Sequence, residues 1–355
     1  PKGEPVFQAL RRDLRERSSR RIVVFLGDNI YPRGLPASGS PDRREAERRL
    51  AAQVEVVVGT GASGYFVLGN HDWSRGASDG WAAARRQTAF VDSAGRGALA
   101  VEPANGCPGP SVIDVGERLR LILLDTQWWL HTGSKPADRQ SSCPADSGQE
   151  VVDSIRSALS FGKSRLVVVT AHHPLTSGGV HGGYFGWRDH LFPLEVVAPG
   201  LWLPLPFVGS LYPAARQYGV SNQDLESRVY RGLIANLRKA FADHPPELYA
   251  AGHEHNLQVI DHGSAPLELV SGGGYFGHTS RVVPVSGTRF ARAASGFARL
   301  DVPRIGAARL ALLQVDRDGR SREVFSMAIR EAGGSSQTPV TGRQSPDAAM
   351  PEPGD

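Results

Sequence analysis

The sequence predicts an α/β protein on three observations. A helix and then a buried strand open the chain, apolar β-branched runs recur with helical or loop segments between most of them, and polar residues gather just after those runs. Glu4 to Arg17 places Val6, Phe7, Leu10 and Leu14 at helical spacing, with Arg11, Arg12 and Arg15 on the opposite face, so the first element is an amphipathic helix. Ile22 to Leu26 comes next as a continuous apolar run ending at Gly27, the pattern of a strand covered on both faces. Similar runs stand at Tyr65 to Leu68, Leu119 to Leu124, Arg165 to Thr170, Glu247 to Ala251 and Leu267 to Val270, which is α/β alternation around a largely parallel sheet. Arg309 to Val315 and Arg322 to Ile329 flank Asp316-Arg317-Asp318-Gly319, a hairpin that adds antiparallel strands.

At 355 residues with 40% apolar and 21% charged residues, the chain can bury a full core, and one large domain spanning 1–330 is expected. Beyond Glu331 the composition turns to Gly, Ser, Thr, Gln and Pro, which predicts a disordered tail over 331–355. A net charge of +4 dominated by Arg suits anionic substrates. No run of five like charges and no aromatic-plus-basic repeat is present, so no nucleic-acid partner is expected. Cys107 and Cys143 both precede proline and can pair in an exported protein or stay free in a cytosolic one. An apolar insertion is read over about 181–220. Within it Leu191 to Leu211 carries Trp202 and Phe207 beside four prolines that exclude a spanning helix, leaving a lid, a peripheral membrane contact or a loop packed on the domain.

The chemistry-bearing residues stand directly after these runs: Gly27-Asp28-Asn29, Gly69-Asn70-His71-Asp72, Asp125-Thr126, Ala171-His172-His173-Pro174 and Gly252-His253-Glu254-His255. Ligands of α/β sheets bind beyond the carboxyl ends of strands, so these distant segments can converge. Asp28, Asn70, His172, His253 and His255 offer oxygen and imidazole donors without cysteine, a set that suits Zn, Mn or Fe. Singly each motif is an ordinary turn or a satisfied histidine. Their joint order is what points to a shared metal site, where two ions about 3.5–4 Å apart can clamp a phosphoryl group.

Through Leu26-Gly27-Asp28-Asn29-Ile30-Tyr31, Gly69-Asn70-His71-Asp72 and Gly252-His253-Glu254-His255-Asn256, the sequence resembles the calcineurin-like metallophosphoesterases and, within them, the purple acid phosphatase branch. The resemblance spans Arg21 to Phe276 and implies a four-layer α/β/β/α sandwich of two mixed sheets flanked by helices. It implies that Asp28 bridges two metal ions, that Asn70, His172 and His253 complete the second position, and that His255 and the Tyr31 phenolate serve the first. A phenolate favours iron there, giving Fe with Fe, Zn or Mn. His71 would protonate the leaving alkoxide with Asp72 orienting it, and His173 would touch the substrate or fill space. Asp125 would support the ligands without binding metal, and the glycine-rich Ser271 to His278 stretch would approach a ligand or simply connect strands. His181 and His190, in the glycine-rich segment after His173, line the pocket or stand at the surface, with the surface as the default.

The family's first motif, a strand ending in Gly-Asp, is expected before the opening helix, where this sequence begins; the first strand and its carboxylate are therefore expected to be missing. Glu4 precedes the helix and Asp13 lies within it, so neither occupies a strand end. The expected activity is metal-dependent hydrolysis of phosphate monoesters by a metal-activated water. The alternatives are a phosphodiesterase or nucleotide pyrophosphatase, and a catalytically impaired metal-binding or membrane-surface protein. An extracytoplasmic or membrane-associated location is favoured.

Overall fold

The computed structural model describes residues 3–137, 141–162, 165–196, 201–263 and 266–329; the expected tail lies outside them. Helix α1 (Pro5–Arg15) begins with proline, whose missing N–H costs nothing in a first turn, and the Glu4 side chain caps it. Three parallel strands come next, β1 (Ile22–Leu26), β2 (Ser63–Val67) and β3 (Leu99–Val101), joined by helices α2 (Arg43–Val58) and α3 (Gly80–Gly95). A seven-stranded mixed sheet is then formed by β4 (Ser111–Val115), β5 (Leu119–Leu123), β6 (Leu166–Thr170), β7 (Leu248–Ala251), β8 (Leu257–Ile260), β9 (Leu267–Ser271) and β10 (Thr288–Arg292). Its order is β10-β8-β9-β7-β6-β5-β4, with β5, β6, β7 and β9 parallel. The short helix α4 (Gln127–Leu130) succeeds β5. Helix α5 (Gly148–Ser160) leads into β6, and α6 (Trp187–Leu191), α7 (Leu211–Gln217) and α8 (Arg228–Phe241) precede β7. Strands β11 (Gly296–Asp301), β12 (Arg309–Val315) and β13 (Ser321–Ala328) close the chain as an antiparallel sheet containing the expected hairpin.

Residue alternation explains the layering. In β1, Val23 and Phe25 join Leu50, Val54 and Ala84 of α2 and α3. Ile22 and Val24 face the other way, onto Leu121, Leu123, Val168 and Leu269 of the large sheet. Leu310 and Leu312 of β12 enter that same inter-sheet core. On the far face of the large sheet, Ile122, Leu124, Val167, Val169 and Tyr249 pack against Val151 and Ile155 of α5 and Leu233 and Leu237 of α8. The result is the four-layer α/β/β/α sandwich. One sheet layer differs from expectation, being two three-stranded pieces, one wholly parallel and one wholly antiparallel.

Among the described residues β1 pairs only with β2, so one of its edges has no strand neighbour. Helix α1 covers the antiparallel piece, with Val6 and Ala9 against Val315 and Phe297, and Asp13 bonded to Arg299 at 2.8 Å. Glu4 accepts from the Phe276 backbone N–H. Both acidic residues near the start of the chain are therefore engaged on α1 and not at the candidate site. Cys107 and Cys143 form a disulfide, resolving their alternatives in favour of a pair. The insertion is not packed on the domain throughout: Trp187 (66%), Trp202 (56%), Phe207 (92%) and Tyr218 (86%) are exposed, with Leu201, Leu203, Val208 and Leu211.

Candidate metal centre

The site forms where β1, β2, β6 and β7 end side by side. Gly27 comes directly after β1 with φ +88°, and a Cβ there would stand 2.4 Å from His172 Nδ1, so both the turn and the ring's approach require glycine. Gly69 is held as tightly, since its Cβ would meet Asp28 Oδ1 at 2.3 Å. Asp28 and His253 themselves adopt left-handed φ values of 54° and 66°. Such conformations cost non-glycine residues energy and collect where a side chain must be aimed.

The aiming is visible in the hydrogen bonds. His172 Nδ1–H donates to the Leu26 carbonyl at 2.7 Å, and His253 Nε2–H donates to the Gln223 carbonyl at 3.0 Å. Carbonyls only accept, so these bonds fix both tautomers and turn His172 Nε2 and His253 Nδ1 toward each other, 3.2 Å apart. The Asn70 amide lies 3.1 Å from His172 Nε2, and Asp28 Oδ2 lies 3.4 Å from it. On the other side of Asp28, the Tyr31 hydroxyl is 3.2 Å from Oδ2 and 2.9 Å from His255 Nε2. The six expected ligands, Asp28, Tyr31, Asn70, His172, His253 and His255, thus converge in two groups that share Asp28.

Electrostatics agree with a cation-binding role. Burial would raise Asp28, but the His172 charge and hydrogen bond outweigh it and hold the carboxyl well below the usual range. Burial lowers His172, yet the facing Asp28 wins and its net shift is upward. Burial and His181 push His253 well down, while burial and then His278 lower His255 to about 4. Burial and the Asp28 charge push the Tyr31 phenol upward, so a phenolate here needs a strong cation beside it. Two imidazole nitrogens aimed at each other beside a carboxylate require a positive charge between them, either a proton or a metal ion. The donors present therefore fit a metal.

The remaining residues divide. His71 donates Nδ1–H to Pro32 O at 2.7 Å, sets its ring at a tilt against Tyr31 with centres 4.2 Å apart, and sends its backbone N–H to Asp28 Oδ1 at 2.8 Å. Burial lowers its pKa. Asp72 was expected to orient it. Instead the wholly buried carboxylate accepts from the backbone N–H groups of Asn29 (3.0 Å), Ile30 (3.3 Å) and Gly69 (2.8 Å), clasping the two loops together while Pro32 sets the His71 ring. Burial and Asp28 raise Asp72 to about 6. His173, expected to touch the substrate or to fill space, has no solvent exposure, and its nitrogens are occupied by Thr126 Oγ1 (2.8 Å) and Gln223 Oε1 (2.9 Å), which decides against substrate contact. It fills space behind His172 and, with His172 and His253, forms a buried three-histidine cluster. Asp125 holds Trp73 Nε1 at 2.9 Å rather than a ligand side chain, and burial raises it to about 7.

Of the two places open to His181, the structure takes the one at the site: its ring centre lies 4.0 Å from that of His253, and Nδ1 is 3.1 Å from Asp224 and from Arg216, a pair that sequence reasoning missed. Arg216 grips the 1%-exposed Asp224 carboxylate through two 2.5 Å bonds. Glu254, between the two final histidines, accepts from Ser177 Oγ and His181 N at 2.9 Å and secures that loop. His190 instead pairs with Ser210. His278, exposed in the glycine-rich loop, has its ring centre 4.2 Å from that of His255. No local signal identifies these residues, because apart from the Arg216–Asp224 pair their partners lie twenty or more positions away.

The four-layer sandwich thus carries an Asp/Asn/His/Tyr cluster at its strand ends, a donor set that fits metal ions. The family model for calcineurin-like phosphoesterases matches residues 3–257, and the chain belongs to that family, which implies a dinuclear metal centre. Among solved structures, GAP50, described as the anchor in the inner membrane complex of Plasmodium, aligns over 92% of this chain and 84% of its own at 13% identity with TM-score 0.55. The purple acid phosphatase PPD1 from yellow lupin (Lupinus luteus) seeds aligns over 92% of this chain and 49% of its own at 13% identity with TM-score 0.49. A dimetal phosphatase from Danio rerio aligns over 92% and 88% at 13% identity with TM-score 0.46. No curated protein sequence matches significantly.

Proposed function

We propose that this protein hydrolyses phosphate monoesters at a dinuclear centre held by Tyr31, Asp28 and His255 on one side and by Asn70, His172, His253 and the shared Asp28 on the other. The observation carrying this reading is the facing pair His172 Nε2 and His253 Nδ1, each turned inward by a backbone carbonyl beside an ionised Asp28. Two bound ions would clamp the phosphoryl oxygens and lower the pKa of the attacking water. His71, fixed by Pro32 beside Tyr31, serves as the acid for the leaving alkoxide. Tyr31 among the donors favours iron at its position, with Fe, Zn or Mn at the other.

Metal content by elemental analysis, together with hydrolysis of nitrophenyl phosphate and bis-nitrophenyl phosphate, tests this reading. Two ions per chain and faster monoester cleavage are expected. A strong preference for the diester would transfer the assignment to phosphodiesterases or nucleotide pyrophosphatases, and metal binding without hydrolysis would leave a binding protein.

A second reading, compatible with the first, concerns location. The exposed Trp187, Trp202, Phe207 and Tyr218 of the insertion form the mixed aromatic and apolar surface suited to a membrane interface, and the disulfide favours an extracytoplasmic setting. No helix among the described residues is long and apolar enough to cross a membrane. Sedimentation with phosphatidylcholine vesicles checks the contact, and a protein that stays in the supernatant would remove it.

A further inference from the structure

The loop after β9 brings one imidazole to the candidate centre that the ligand set does not use. His278 presents its ring 4.2 Å, centre to centre, from His255 and 5.6 Å, edge-on, from Tyr31, which also lies 4.2 Å from His71. The backbone carrying it is tied down on both sides. Gly277 N–H donates to Ser295 Oγ at 3.0 Å, His278 N–H to Tyr275 O at 3.3 Å, and Ser280 N–H to the carbonyl of His255 itself at 2.8 Å. Earlier in the loop Gly272 passes so near Glu254 that a Cβ would stand 2.0 Å from its carbonyl oxygen, so the segment is pressed against the motif containing His253 and His255. The His278 side chain is nevertheless exposed and makes no hydrogen bond to another described side chain.

We infer that His278 is a substrate-contact residue, donating a ring N–H to a phosphoryl oxygen on the Tyr31 side of the pocket. Exposure separates it from a ligand role: Asp28 and His172 have side chains 8% and 0% exposed and lie within 3.4 Å of each other, whereas His278 is exposed beside His255 and Tyr31. Its anchored backbone sets it apart from a chance surface histidine, because a donor already held in place loses little freedom when an anion binds.

This inference rests on the phosphoesterase reading, and the test keeps the two distinct. Inorganic phosphate binding to the metal-loaded protein is measured by calorimetry, with metal content and steady-state kinetics on nitrophenyl phosphate, for the native chain, His278→Ala and His278→Gln. The expectation for His278→Ala is phosphate binding weakened by about tenfold, the scale of one lost hydrogen bond to a charged group. KM should rise, with kcat and metal content little changed, and His278→Gln, which keeps an N–H donor, should recover most of the affinity. Loss of one metal equivalent in His278→Ala would overturn the inference by making His278 a ligand, and unchanged phosphate binding would overturn it by making the residue a bystander. A native metal-loaded chain that binds no phosphate would sink the phosphoesterase reading, and this inference with it.

Discussion

The two sides of the candidate centre share Asp28 but are built differently. On the side proposed for the second metal, His172 and His253 are fully or nearly buried and each is fixed by a main-chain carbonyl, Leu26 O and Gln223 O. Behind them stand His173, His181 and the Arg216–Asp224 pair. On the side proposed for the first metal, Tyr31 and His255 are held mainly by each other and by Asp28, with the exposed His278 beside His255. The difference is one of preorganisation. Groups locked before an ion arrives lose little freedom on binding it, so the second position should hold its metal more tightly.

Substitutions on each side break or sharpen that contrast. The largest effect is expected for His253→Ala, which removes an inward-facing donor. It should lower kcat/KM by roughly 1,000-fold and abolish one equivalent of bound metal, read by elemental analysis. Retention of both ions would break the comparison. Next, Asp224→Asn should destabilise the fold by about 3 kcal/mol, the low end for removing one member of a buried ion pair, because Arg216 is 18% exposed and keeps its bond to Tyr212. Chemical denaturation measures this, and metal titration should show weakening at the second position alone.

A pH effect away from both sides provides a control. Burial raises Glu268 from 4.5 to about 7. Because the folded-state value lies above the unfolded one, the stability this group contributes is fully present below about pH 4.5 and is lost as pH rises through 7. Glu268→Gln should remove up to about 3 kcal/mol of that pH dependence without altering metal content, as followed by denaturation at pH 4.5 and 7.5. Tyr31→Phe is expected to cost about tenfold in affinity at the first position, one decade being about 1.4 kcal/mol, while the second ion remains. Smallest of all, Phe207→Ser should change stability by less than about 0.5 kcal/mol, as exposed sites do, yet reduce vesicle sedimentation.

By itself the sequence determined the layered α/β framework and the donor set at the candidate site. Strand interiors must be apolar on the faces they bury, and the motif residues succeed strand ends at fixed short spacings, so Asp28, Asn70, His172, His253 and His255 are legible along the chain. Short strands such as Ser111–Val115, a partly exposed edge strand, and Leu99–Val101, three residues long, were not legible, because runs this short are fixed as strands by their neighbours. Tertiary structure alone decided the supporting cast. Asp72 clasps two loops instead of aiming His71, His173 turns inward to Thr126 and Gln223, and His181 is drawn onto His253 by Asp224 and Arg216. The reason is physical: a ligand's identity is local chemistry, whereas its orientation depends on hydrogen bonds to partners that only folding brings within about 3 Å.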